Sequence, residues 1–154
     1  MLYETDSERD ERYMLMALNE AQIAAEEGEV PVGAIVVCNG RVIARTHNLT
    51  ERLRDVTAHA EMQAITAAAD NLNGKYLTDC TLYVTLEPCP MCAAALKWAQ
   101  IGRVVYGASD PKRGYRAALA RPDEAFHPKT EVQTGLLADE CLEVMQSFFR
   151  QRRR

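Results

Sequence analysis

Two short clusters dominate this chain: Thr57-Ala58-His59-Ala60-Glu61 and, about thirty residues later, Glu87-Pro88-Cys89-Pro90-Met91-Cys92. Together they read H-x-E followed by P-C-x-x-C. An imidazole and two thiolates are donors that zinc prefers, and Cys89 and Cys92 share one face if a helix starts there. A chain that uses all three must bring two distant segments to one point, which restricts its fold more than any other feature. Three donors fill three corners of a tetrahedron and leave the fourth for a water, which zinc acidifies toward neutrality. Glu61, two residues past His59, is too close in sequence to be an equivalent ligand on a helix face, but is placed to take that water's proton.

Element lengths show how the two segments meet. A helix from about His59 to Asn73 runs roughly 22 Å away from the donors, and a strand from Thr81 to Glu87 runs roughly 23 Å back. Asn73-Gly74 supplies the reversal. Pro88 suits the first turn of a following helix, Cys89 to Gln100, closed by Gly102. Both helices then direct their positive N-terminal ends at the donors, which favours thiolates and a bound hydroxide.

The flanking sequence adds layers around this unit. Ser7 is the expected cap of a first helix whose apolar positions Met14, Ala17, Leu18, Ala21, Ala24 and Ala25 follow a helical period, with Gly28 as its stop. Pro31 to Cys38 and Arg41 to Thr46 read as a hairpin about Asn39-Gly40. Leu49 to Val56 reads as a polar connection, with Asp55 or Thr57 as cap of the His59 helix. Arg103 to Gly107 reads as a strand and Thr130 to Thr134 as a short edge strand. Ala138, Cys141, Leu142, Met145, Phe148 and Phe149 trace a last helix, while Tyr115 to Pro128 has no clear period. Alternating strands and helices imply a three-layer α/β sandwich with its site at strand ends and helix starts.

Composition narrows the class. The 154 residues, 47% hydrophobic and 26% charged, suit one globular domain covering 1–154. A net charge of -4 argues against a protein coated in basic residues, though a local basic patch is compatible with it. The first twelve residues are acidic and have no apolar core, so no signal peptide is expected, and the longest apolar run is far short of a membrane span. Five cysteines without an export signal point to a reducing compartment, two thiols going to zinc and Cys38, Cys80 and Cys141 remaining free.

Further stretches carry a resemblance. They are Glu29-Val30-Pro31-Val32-Gly33-Ala34, Leu82 to Glu87, Ile101 to Gly107, Leu137 to Cys141 and Phe148-Phe149-Arg150. With the H-x-E and P-C-x-x-C clusters, the signature of zinc nucleobase deaminases, the chain resembles the tRNA-specific adenosine deaminase family of the cytidine/deoxycytidylate deaminase superfamily. The likeness is dense over about residues 10 to 110 and resumes near the C-terminus. It implies the cytidine deaminase-like fold, an α/β/α sandwich with a central mixed sheet of about five strands and helices on both faces. It also implies one Zn2+ per subunit on His59, Cys89 and Cys92, Glu61 as the catalytic proton carrier, and a cytoplasmic homodimer acting on a tRNA anticodon stem-loop. The activity implied is conversion of the wobble adenosine to inosine with release of ammonia.

By the same resemblance Asn48 contacts the base, Val32 and Ala58 line its pocket, and Asp110 and Lys112 stand near the substrate loop. Phe149, Arg150 and Arg152, in the basic C-terminal run Arg150 to Arg154, are candidates for stacking on a splayed base and gripping its backbone. The chain departs from the family at Val56, where proline is common, and at Tyr115-Arg116-Ala117-Ala118, where small residues are common.

Three alternatives stay open on sequence. A closed structural zinc site needs a fourth ligand from Cys80, His47 or His127; Cys80 belongs at the far end of its strand, while His47 is not excluded. A free-base or nucleoside deaminase acting on guanine or cytosine would use the same zinc machinery, with Tyr115 to Lys129 as a lid. A zinc-stabilised RNA-binding protein without turnover would leave Glu61 without a role. Glu87 reads as a structural hydrogen-bonding carboxylate.

Overall fold

Thr5, not Ser7, starts the first helix of this protein, whose computed structural model describes residues 3–152. The Thr5 hydroxyl accepts the Glu8 backbone N–H at 3.1 Å, and the Glu8 carboxylate accepts the Thr5 N–H at 3.2 Å. This reciprocal capping box satisfies two of the donors that a helix end leaves open. Helix α1 spans Asp6–Glu26 and is followed by strands β1 (Gly33–Cys38) and β2 (Arg41–His47). Asn39 and Gly40 both take positive φ, 52° and 75°, the turn that matches the twist of a two-residue hairpin.

The expected polar connection contains a short helix, α2 (Thr50–Leu53). Its anchor is distant and has no local signature: the buried Glu29 carboxylate accepts the N–H groups of Glu51 at 3.0 Å and Arg52 at 2.8 Å. Then follow α3 (Ala60–Leu72), β3 (Cys80–Leu86), α4 (Pro90–Trp98) and β4 (Arg103–Ala108), the out-and-back unit expected from the motif spacing. Asn73, in the left-handed region at φ 54°, makes the reversal after α3. The chain closes with α5 (Tyr115–Ala118), a 3-10 turn (Pro122–Glu124), β5 (Glu131–Thr134) and α6 (Ala138–Arg152).

The five strands form one mixed sheet in the order β2-β1-β3-β4-β5. β1 is antiparallel to both neighbours, whereas β3, β4 and β5 run parallel. Alternation along each strand divides the core in two. Ala34, Val36, Leu82, Val84, Val104 and Tyr106 face α3 and α4, meeting Ala60, Ala64, Ala68, Ala93 and Leu96. Ile35, Val37, Tyr83 and Val105 face the other way, toward Tyr13, Met14 and Ala17 of α1 and Cys141 of α6. The arrangement is the expected sandwich, with helices on both faces of a five-stranded sheet.

A buried ionic knot ties α1 to the sheet. Asp10 accepts from the Tyr83 hydroxyl at 2.6 Å and from the Arg103 guanidinium at 3.0 and 2.8 Å. Burial works to raise the Asp10 carboxyl, but Arg103, Tyr83 and Arg9 overcome it and hold the group down at about 2.

The segment without a clear period is part of the core. Tyr115 and Phe126 are buried, their rings meeting edge to face at 4.9 Å, and Tyr115 also meets Tyr106 at 6.2 Å. Aromatic contacts, not periodicity, order this stretch.

Close approach of α1 to β1 depends on Gly33. A Cβ there would collide with the Ala17 carbonyl oxygen and the Ala21 nitrogen, both backbone atoms in the middle of a helix. Gly33→Ala is therefore expected to destabilise the protein at or above the roughly 1–3 kcal/mol typical of overpacking. Chemical denaturation of the variant beside the parent protein measures it.

Candidate active site

His59 and Cys89 occupy equivalent positions on two different helices. His59 is the N-cap of α3 and Cys89 the N-cap of α4, both with extended backbone, and neither side chain makes a capping hydrogen bond. The expected caps, Asp55 and Thr57, bind each other instead: Asp55 accepts the Thr57 N–H and hydroxyl at 2.8 and 2.7 Å. Pro90, at the first helical position of α4, forfeits only an N–H that would be unpaired there. Cys92 then lies in the first turn of α4, buried beneath Cys89.

The three donor atoms lie within 4.8 Å of one another. His59 Nδ1 is 3.6 Å from Cys89 Sγ and 3.5 Å from Cys92 Sγ. A tetrahedral centre with zinc–sulfur bonds of about 2.3 Å and zinc–nitrogen bonds of about 2.0–2.1 Å has edges of about 3.6 Å, so the residues fit zinc. Their protonation suits a dication as well. A hydrogen bond from the Cys92 thiol, with help from His59, brings Cys89 down to about 4 against the effect of burial. Cys92 is pushed up by that same bond and by burial.

The fourth-ligand candidates are engaged elsewhere. Both ring nitrogens of His47 meet carboxylates of α1, at 2.9 Å from Glu20 and 3.1 Å from Glu27. Cys80 starts β3, opposite Cys38 and at the far end of the strand. His127 Nδ1 accepts the Lys129 N–H at 3.1 Å.

Glu61, in the first turn of α3, is only 3% exposed. Burial pushes its carboxyl up to about 7, reinforced by the charge on Cys89. A carboxyl poised near neutrality can both take and give a proton, as general acid–base chemistry requires.

A cleft of about 600 Å3 opens over these groups. Its lining joins His59, Cys89 and Glu61 with Val32, Asn48, Asp110, Lys112 and Phe149, and adds Thr50, Arg113 and Met145. Met145 and Phe149 come from one face of α6, and Phe149 is 41% exposed where Phe148 is 8% exposed and packed inward. One phenylalanine in the core and one at the cleft agrees with the helical spacing. Arg113 is a cleft residue that sequence reasoning missed; the signal was its place beside Lys112 in a turn whose Asp110 carboxylate accepts the N–H groups of both residues.

Other candidates stand apart from the cleft lining. Ala58 is buried. Arg150 pairs with Glu143 on its own helix at 2.8 Å, and Arg152 lies over the Phe148 ring at 4.6 Å and donates to the Gly28 carbonyl. Both arginines thus have partners on α6 or just past the end of α1. Arg153 and Arg154 lie outside the described residues. No residue of the segment 115–129 lines the cleft, and Tyr115 and Phe126 are packed in the core.

Glu87 has the structural role expected of it. Buried at the end of β3, it accepts the Asp110 N–H at 3.1 Å and the Arg116 N–H at 3.0 Å, and its Oε1 is 3.4 Å from the Arg116 guanidinium. Gly114 passes so close that a Cβ would strike the Glu87 carboxylate. The loop bearing Lys112 and Arg113 is thus fixed from the strand that also leads to Cys89.

Comparison with known proteins accords with this geometry. The family model for the cytidine and deoxycytidylate deaminase zinc-binding region matches residues 7–108. A tRNA-specific adenosine deaminase of Bacillus subtilis is 47% identical over 148 residues, covering 95% of this chain and 92% of its own length. A solved structure from work on A-to-I editing by tRNA:A34 deaminases at the wobble position of transfer RNA superposes with a TM-score of 0.81 at 46% identity, covering 86% of this chain and 98% of that one. The guanine deaminase of Bacillus subtilis is more distant, with a TM-score of 0.62 at 34% identity over 76% of this chain and 70% of its own.

Replacing Glu87 by alanine leaves the amides of Asp110 and Arg116 without their acceptor, at a cost of about 1–3 kcal/mol for each that stays buried. The expected outcome is faster hydrogen exchange at residues 110–116, with exchange in α3 and β1 little altered.

Proposed function

This chain belongs to the cytidine and deoxycytidylate deaminase family and to its tRNA-specific adenosine deaminase branch, and from that footing we propose that it converts the wobble adenosine of a tRNA anticodon loop to inosine. The observation that carries the reading is Glu61, buried beside the three-donor cluster in a cleft whose loop carries Lys112 and Arg113. A polyanion suits that loop better than a small neutral base does.

His59, Cys89 and Cys92 would hold the zinc. When bound, zinc supplies a Lewis acid that brings water's pKa near neutrality. Glu61 takes a proton from the attacking water and delivers it to ring nitrogen N1 of the adenine. A C–O bond forms at C6, the C6–N bond breaks, and Glu61 passes the remaining proton to the departing ammonia. The sum is adenosine plus water giving inosine plus ammonia. Asn48, buried at the cleft wall, offers an amide to the base edge, and Val32 offers an apolar surface to its face. Phe149 presents an aromatic face on which a neighbouring base can stack.

A cytoplasmic homodimer is part of the same reading. Trp98, 83% exposed on α4, and the exposed Leu53 and Val56 supply apolar surface for a second subunit. Among the described residues no helix is long and apolar enough to cross a membrane. Arg150 and Arg152 enter only as a basic flank, reaching RNA if it displaces Glu143 and the Gly28 carbonyl.

Three outcomes are expected. Anticodon stem-loops bearing a wobble adenosine gain inosine while free adenosine, adenine, guanine and cytosine stay unchanged; conversion of a free base alone overturns the substrate. Glu61→Ala keeps one zinc per subunit by elemental analysis yet loses at least about a hundredfold in turnover. Lys112→Ala with Arg113→Ala weakens stem-loop binding and lowers its salt slope by about one for each phosphate left unneutralised.

A further inference from the structure

His47 lies at the end of β2, one residue before Asn48, and all of its polar side-chain atoms are engaged. Its Nδ1 is 2.9 Å from Glu20 Oε1 and its Nε2 is 3.1 Å from Glu27 Oε2. Its carbonyl accepts from the Gln63 side-chain amide at 2.8 Å, and that amide also reaches the Ala58 carbonyl at 3.2 Å. The ring thus holds α1, the carbonyl holds the helix that carries Glu61, and the ladder holds β1, where His47 is registered with Gly33. The next N–H, that of Asn48, donates to the Val32 carbonyl at 3.1 Å, joining two residues of the cleft.

Two carboxylates on the two ring nitrogens require two N–H donors. A neutral imidazole has one, and would turn a lone pair toward the other carboxylate. We propose that His47 is a positioning residue, kept as an imidazolium between Glu20 and Glu27 so that Asn48 and Val32 are held at the spacing the base needs. This rests on the reading of the cleft as a base-binding site.

The groups facing the ring are few. From α1 they are Glu20 and Glu27; from β1 the partner is Gly33, and from α3 the neutral Gln63. On its own strand the nearest charge on the same side of the sheet is the exposed Arg45. Burial opposes the charged form, but the two carboxylates prevail and raise the imidazole above its ordinary value. The sign follows: the clamp is complete below the ordinary histidine value of about 6.5, and is lost as pH rises through the raised one.

The test uses the zinc-loaded protein. Imidazole titration by NMR, with His47 identified from His47→Gln, is expected to show both nitrogens protonated at the ordinary histidine value of about 6.5 and titration above it. Loss of the proton at about 6.5 or below overturns the clamp whatever the substrate proves to be. The kinetic arm uses the stem-loop, or a free base if only that is turned over, so failure of the substrate assignment is seen separately. KM is expected to rise roughly tenfold or more as His47 deprotonates, with kcat following its own profile. His47→Gln should show the high KM throughout without that rise, and His47→Arg, a cation at every pH used, should recover a lower, pH-independent KM. If His47→Gln does not fold, Glu27→Gln takes its place and should move the KM rise to lower pH. A KM rise unchanged in these variants, or no rise in the parent protein, overturns the positioning role.

Discussion

Convergence of an imidazole and two sulfurs within 4.8 Å is the constraint on which the rest of this structure depends. No local sequence can satisfy it, because His59 and Cys89 are separated by a helix, a reversal and a strand. The fold meets it by matching the outward travel of α3 to the return of β3, so that the next helix begins where the last one did. Two helix N-termini then face one point, and each gives up its capping side chain to the cluster. Unpaired N–H groups and helix dipoles favour thiolate at the same place.

The second consequence is the company the cluster keeps. Glu61 is carried into the interior because it sits in the first turn of the same helix that His59 caps, and burial brings its carboxyl to about 7. Just past the end of β3, before Cys89 and Cys92, the Glu87 carboxylate holds the loop with Lys112 and Arg113. Across the cleft, the ends of β1 and β2 supply Val32 and Asn48, held to α1 and α3 through His47. The three-donor cluster, the Val32 and Asn48 wall of the cleft and the basic loop are therefore fixed by neighbouring ends of one sheet.

Much of this was legible in the sequence, for identifiable reasons. Period and spacing report local geometry, so the Asn39-Gly40 hairpin and the α3–β3–α4 path could be read directly. Caps were read less well. Thr5 is preferred to Ser7 because Glu8 can answer only a cap three residues before it. The place of Tyr115 and Phe126 in the core, and of Glu29 beneath α2, depends on partners distant in the chain, which no window reveals. The partners of the α6 arginines, Glu143 and the Gly28 carbonyl, are likewise set by side-chain geometry and by a segment far away in the chain.

At the centre of this mechanism is the proposal that His59, Cys89 and Cys92 would hold three corners of a zinc site and leave the fourth to solvent. X-ray absorption at the zinc edge of the purified protein tests this most directly. Two sulfur scatterers, one imidazole and one further light atom from solvent are expected. A third sulfur or a second imidazole would mean a closed structural site and contradict it.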